Sequence, residues 1–402
     1  MSLLQIHDRP KLLLPAAFRR EVSTRGFAER MMDLLITGYD SGFNERADLL
    51  TAAVDGTDFN EMWRDIQETL RLQNNWRDNL LARIMFQVTN EVDTVGIPAY
   101  AQFEKASEYG QPVGYRGAQR RHRGYTFEWW DLAFRYTWMF LAEATRQDLD
   151  NHHNMALEAD NRLIFTEVLR TLFNPTNLAG VADGNIPVNV YKLWNADGEV
   201  PPPWKSYTHL GSHTHFLTLT TAVTSASLST MATHLAHHGH GVQDGATLVL
   251  LVNEQEANVI TTFKVATGAS FDFIPSANYG GGVFLPANGG IIARPDGTIR
   301  EEIGTYGPWH VVREDMVPAN YLIGLASGGV MNINNPVGFR QHKNAQMRGL
   351  KAIPGQRSDY PLIDSFYQRG FGTGVRQRGA GVILNVNQAG AYTPPAAYVA
   401  AT

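Results

Sequence analysis

Histidine is the first place to look for chemistry in this chain. Seven of its thirteen histidines fall in one stretch: His209, His213, His215, His234, His237, His238 and His240. His234 and His238 are four residues apart in a segment that reads as helix. That spacing puts both imidazoles on one face, where zinc could bridge them. The position after His234, where a zinc-protease motif carries its glutamate, holds Leu235. No neighbouring carboxylate has an evident role in orienting the rings. The competing reading is a polar helix end whose histidines face the C-terminal dipole, and the sequence assigns no metal.

Other chemistry is thinner. Gly370-Phe-Gly372-Thr-Gly374 and Gly280-Gly-Gly282 lack the strand-then-helix setting and the GK[ST] ending of a phosphate cradle, and both read as tight turns. There is no G-x-S-x-G elbow. Glu158, Asp160 and Glu167 fall on the polar side of a long predicted helix and read as a solvated face. The absence of cysteine excludes a disulfide scaffold, thiolate metal sites and cysteine nucleophiles together. No catalytic residue and no cofactor follow. A net charge of −5 argues against a broad basic face for nucleic acid. No stretch reaches the eighteen apolar residues of a membrane span, and Pro15 and flanking charges spoil Leu12-Leu13-Leu14 as a signal-peptide core.

The elements that would carry these residues centre on Tyr125 to Asn174, fifty residues without Gly or Pro. Those residues cost about 1 and 3 kcal/mol inside a helix, so their absence predicts a long helix, a spine. Trp130, Phe134, Trp138 and Leu141, then Leu157, Ile164, Val168 and Leu172, recur at helical spacing. Asn174-Pro175 ends it. Upstream, residues 1 to 22 read as an extended arm suited to lying on a neighbour, and Phe27 to Ile36 as a short helix stopped by Gly38. Asp58 to Glu61 has capping-box spacing, and Trp63, Ile66 and Leu70, then Trp76, Leu80 and Ile84, make a core-facing stripe.

From Val88 to Arg123, strand-like pieces broken by Gly and Pro predict a long hairpin. Its return limb carries Arg116, Arg120, Arg121, His122 and Arg123. These arginines read either as a solvated surface or as groups that seat on an acidic patch of an adjacent subunit. After the spine, Val181 to Tyr207 reads as loop. A helix follows from Ser225, presenting Leu228, Met231 and Leu235 and closed by Gly239. Leu248 to Val252 reads as a strand covered on both faces, and Asn253 caps a further helix that faces Val259, Ile260 and Phe263 inward. The last 130 or so residues read as strand and turn: a hairpin about Asp296-Gly297, strands at Trp309–Val312 and Tyr321–Leu325, and a β-rich run from Phe371 to Val386.

The order of these parts resembles the HK97-like major capsid proteins of tailed bacteriophages. Gly304-Thr-Tyr-Gly-Pro-Trp-His-Val-Val312, with Met316-Val-Pro318 and Tyr321-Leu-Ile-Gly-Leu325, is similar to that family's strand pair. Val375-Arg-Gln-Arg-Gly-Ala-Gly-Val-Ile-Leu384 is similar to its closing strand with spaced arginines. Asp359-Tyr-Pro-Leu-Ile-Asp364 through Gly370-Phe-Gly372 is similar to a version in phages of actinobacteria.

The resemblance implies an α+β, HK97-like fold. Residues 1–87 would form the N-terminal arm and helices, 88–124 an E-loop, 125–177 a peripheral domain with the spine, 178–330 an axial domain, and 331–402 a β-rich return and tail. It implies hexamers and pentamers closing an icosahedral shell around double-stranded DNA without sequence-specific contact, assembled in the bacterial cytoplasm. A separate scaffold is implied by the retained Met1, with portal and decoration proteins as further partners. Lys105, Arg116, Arg120, Arg121 and Arg123 would be the E-loop's inter-subunit contacts. Some members weld their shells by a lysine–asparagine bond, for which Lys105 and Asn332, Asn334, Asn335 or Asn344 are the candidates. The alternatives are an encapsulin-like nanocompartment shell and a metal-dependent hydrolase built on the histidines.

Overall fold

The computed structural model describes residues 53–75, 79–96, 105–106, 108, 110, 120–183, 186–276, 302–354 and 362–399. The predicted arm, the helix at 27–36, Trp76, Arg116, Gly280 to Gly282 and the hairpin about Asp296 lie outside them. The chain forms two compact units. Among the described residues, one gathers 53–68, 134–153 and 362–364, and the other takes the remainder.

In the smaller unit, the helix Phe59–Asn75 begins where the Asp58 carbonyl accepts from Met62 N at 3.1 Å. It buries Met62 and Ile66. Asp55 accepts from the backbone N–H of Arg146 at 2.9 Å, and the Arg146 guanidinium reaches Asp65 at 2.6 Å. Phe134, Tyr136, Phe140 and His152 stack with ring centroids 5.5–6.4 Å apart.

The fifty-residue stretch is not one helix. It opens with the strand Glu128–Thr137, turns through the short helix Trp138–Glu143, and becomes the spine only at Arg146–Phe173. Eight aromatics lie between Tyr125 and Phe140, and such side chains favour a pleated surface over a helix. The helical spacing of Trp130 and Phe134 is incidental, because both sit at even positions of a strand. Ala144, at φ −70° and ψ 142°, separates the two helices, and Asp148 restarts the second by accepting from Thr145 N at 3.0 Å. The spine's 28 residues span about 42 Å at 1.5 Å each. It ends before Asn174-Pro175 as expected, with Ile164, Val168 and Leu172 buried. Asp160 is a correction to the solvated-face reading: it is 5% exposed, inside the larger unit, with both oxygens on the guanidinium of Arg369.

The larger unit holds a seven-stranded mixed sheet. Across it run Phe216–Thr218, Gly381–Asn385, Tyr321–Ser327, Thr247–Val252, Trp309–Arg313, Glu302–Tyr306 and Phe273–Pro275. Both faces are covered, and the period of two separates the cores. Val249, Leu251, Ile323, Leu325 and Ile383 join the spine's Val168 and Leu172 on one side. Leu248, Leu250, Val252, Leu322, Val382 and Leu384 pack on Leu228, Met231, Leu235 and Ile260 on the other. The helices behind that second face are Ser225–His237 and Glu254–Thr261, capped by Thr224 and Asn253. Gly239, at φ +80°, follows the first of them, a conformation a side chain would resist. Leu178–Asp183 and Ile186–Val190 form a hairpin in what reads as loop.

A five-stranded sheet completes the unit. Met85–Val88 runs parallel to Val337–Gln341, which pairs with the long strand Leu362–Val375. Lys351–Pro354 and Glu128–Thr137 also pair with that long strand. Gly370, Gly372 and Gly374 sit in it rather than in tight turns, alternating on one face. A Cβ on Gly372 would land on the Thr126 carbonyl, while Gly370 faces Trp129 and Phe127, and Gly374 faces Tyr125. The missing side chains let segment 124–129 lie directly on the strand, with Thr126 N donating to Thr373 O at 3.1 Å.

Candidate functional site

The predicted hairpin exists at its base. Val92–Gly96 pairs antiparallel with Arg120–Gly124, matching Val92 to Gly124 and Gly96 to Arg120. Alternation along the second strand sends Arg121 and Arg123 one way and Arg120 and His122 the other. Arg123 is buried, 5% exposed, and donates to Glu199 at 3.1 Å; Arg121 reaches the same carboxylate. Arg378, from the turn before the closing strand, joins them on Glu199 at 2.6 Å. It also donates to Asp197 at 2.7 Å, Asn195 Oδ1 at 2.8 Å and the Lys192 carbonyl at 2.8 Å. The ring of Tyr191 lies 4.4 Å from the Arg123 guanidinium and 5.1 Å from that of Arg378, and Trp194 covers Arg378 at 4.2 Å. Burial, with Arg378 adjacent, lowers the Arg123 pKa to about 10.

Two further arginines pin the chain just before and along the outgoing strand. Arg376 donates to Asp93 at 2.5 Å, and Arg340 to Glu91 at 2.7 Å and to the Tyr125 carbonyl at 3.2 Å. The base is thus held by charge pairs to residues up to 283 positions away in sequence. Arg121 and Arg123 are spent within their own chain. Arg120 and Lys105 are exposed, and Arg116 lies outside the described residues. Of the asparagines named as cross-link candidates, Asn335 is fully buried. Its amide nitrogen donates to Met85 O at 2.7 Å and Gly329 O at 2.9 Å, and its oxygen accepts from Gly328 N at 2.9 Å. Sequence reasoning missed Glu199, Asp93 and Glu91. Their partners are distant, and only the spaced arginines Arg376 and Arg378 gave a signal.

The histidines do converge. The helix Ser225–His237 carries His234, and His238 caps it at φ −101° and ψ 7°. An extended segment brings His213 and His215 alongside: His215 N donates to Trp194 O at 2.7 Å, and Ile383 N to His215 O at 2.8 Å. The Nε2 atoms of His213 and His215 each lie 2.9 Å from Nε2 of His238. His215 Nδ1 donates to the Gly381 carbonyl at 2.6 Å. His209 stacks on His238 with centroids 4.4 Å apart, and His237 turns to Tyr207 at 3.6 Å. Burial lowers the pKa of His213 and of His240 to about 4 and holds those of His209, His215, His234 and His238 below the usual imidazole range. A helix-dipole role would favour the charged form, whereas this setting, with His215 buried and the other rings half-buried, favours the neutral one. Leu235, in the glutamate position of a protease motif, is a core residue.

No family model and no curated protein matches the chain. Among solved structures, a chain of Mycobacterium phage Patience is 36% identical to it. That match covers 89% of this chain and 96% of that one, with a TM-score of 0.65. The chain belongs to the HK97-fold major capsid proteins of tailed bacteriophages. The capsid of an empty GTA particle (11% identity, 77% and 90% coverage, TM-score 0.46) and the SrpI encapsulin of Synechococcus elongatus (11%, 79% and 91%, 0.46) are more distant. Neither carries weight here. A capsid subunit of this family builds the icosahedral shell around a phage genome as hexamers and pentamers.

Proposed function

We propose that this capsid protein assembles in the bacterial cytoplasm without catalysing a reaction, on a separate scaffold and around a portal, and that double-stranded DNA then fills the shell without sequence-specific contact. The observation that carries the capsid reading is the 36% identity extending over 89% of this chain and 96% of the matched one. The net charge of −5 supports a lining that holds DNA loosely. The boundaries 1–87, 88–124, 125–177, 178–330 and 331–402 remain our assignment of arm, E-loop, peripheral domain, axial domain and return.

The E-loop carries the contacts between subunits in this reading. Its root is fixed by Arg121, Arg123, Arg340 and Arg376, so the exposed Lys105 and Arg120, with Arg116, are the cations left to meet a neighbour's carboxylates. Such rim charges set register and encounter rate more than affinity. Reversing two of them (Lys105→Glu with Arg120→Glu) is expected to lower the yield of sedimenting shells while the circular dichroism of the subunit stays unchanged. Shell yield equal to the parent's would remove these residues from the interface.

A further inference from the structure

We propose that His209, His213 and His238, with His215 against them, form a binding site for a single zinc-class cation. The argument is a count of lone pairs. A neutral imidazole has one N–H and one lone pair. The Gly381 carbonyl can only accept, so Nδ1 of His215 holds the hydrogen and its Nε2 is bare. Nε2 of His238 lies 2.9 Å from that atom and 2.9 Å from Nε2 of His213. It owns one hydrogen or one lone pair, so at best one hydrogen is split between the two neighbours in a weakened three-centre bond. Nε2 of His209 is buried with no hydrogen-bond partner. Among the described protein groups the cluster is therefore under-satisfied, with one hydrogen divided at His238 and the His209 nitrogen left over.

A cation at the centre removes the conflict, because every converging lone pair becomes a ligand. Two nitrogens bound at 2.0–2.1 Å on a tetrahedral ion sit about 3.3 Å apart, so the 2.9 Å separations need to open by less than about half an ångström. The ligand atoms of His209, His213 and His238 lie within 4.8 Å of one another, as do those of His213, His215 and His234, and no ion is present. The His215 ring is backed by a carbonyl, with Nδ1 donating to Gly381 at 2.6 Å. Backing of this kind fixes the tautomer in metal sites. Imidazole donors without thiolate or carboxylate select Zn²⁺, Ni²⁺, Cu²⁺ or Co²⁺ over Mg²⁺ and Ca²⁺, and a tetrahedral arrangement suits Zn²⁺. A cleft of 540 Å³ has His238 in its lining. The bound ion ties segment 209–215 to the end of the helix Ser225–His237 as a structural brace.

The test uses the full-length protein as purified shells. Shells are stripped with a chelator, reloaded with zinc chloride, desalted and assayed for metal by mass spectrometry. The expected result is about one zinc per chain, less than about a tenth of that in His238→Ala, and no change in His310→Ala, a histidine outside the cluster. Cobalt added to stripped wild-type shells should give the intense visible absorption of a tetrahedral site, and zinc should raise the melting midpoint of the wild type. These two measurements stand even if His238→Ala fails to fold. No uptake by the wild type, or equal uptake by wild type and both His238→Ala and His213→Ala, overturns the site.

Discussion

Asp160→Ala should be among the costlier single changes in the larger unit. The carboxylate sits on the spine with both oxygens on Arg369, one at 2.6 Å, and both side chains are 3% exposed. With Asp160 gone, the guanidinium keeps, among the described residues, only the long contact to Asn74 Oδ1 at 3.4 Å, and stays buried. Breaking such a pair from one side costs about 3–5 kcal/mol, whereas replacing both members by apolar residues is often neutral or stabilising. At about 2.1 cal/mol/K per residue, 402 residues carry an unfolding entropy of about 0.85 kcal/mol/K. The single change should then lower the melting midpoint by about 4–6 °C, and Asp160→Leu with Arg369→Met should recover most of it. Scanning calorimetry on Asp160→Ala, the double variant, its two component singles and the parent decides. A loss under about 1 °C in Asp160→Ala, or a double variant as damaged as the sum of its singles, would refute the reasoning.

Gly372→Ala should prevent soluble folding or cost several °C, because its methyl group meets backbone at Thr126 rather than a movable side chain; a parent-like melting curve would contradict the packing described. Lys192 gives a pH signature. Burial, partly offset by Glu167, lowers its pKa from 10.5 to about 8. The unfolded chain therefore binds the extra proton between those values, and stability rises with pH across that window while the cost of burying the charge is in full force below it. The shift is worth about 3 kcal/mol. Lys192→Met should be more stable at neutral pH, with Arg170 still paired to Glu167, and should flatten the rise. Denaturant midpoints at neutral pH and near pH 9.5, roughly the middle of that window, check it; an unchanged slope would exclude Lys192 as its source.

Much of the larger unit was legible because its signals are local. Asn253 announces a helix, Leu228, Met231 and Leu235 repeat at helical spacing, and the unbroken apolar run at 248–252 reads as a strand with both faces covered. The strand at 128–137 was misread because absence of Gly and Pro permits a helix without requiring one, and the pairing that decides the matter comes from a strand more than 200 residues away. Asp160 looked like a surface acid because nothing near it in sequence reveals Arg369. The same holds for Glu199, which gathers Arg121, Arg123 and Arg378 from two separate regions. The glycine triplet in the long strand shows its period of two plainly, but its purpose depends on the backbone that lies against it. For the histidines, the sequence gathered the right residues and left open whether their nitrogens meet; the 2.9 Å separations answer that.

Electron cryomicroscopy of the purified protein tests the central claim most directly. Closed icosahedral particles with pentamers at the vertices and hexamers between them, each subunit extending its hairpin over a neighbour, are the predicted result. A monodisperse monomer under every assembly condition, with the hairpin folded on its own body, would contradict it.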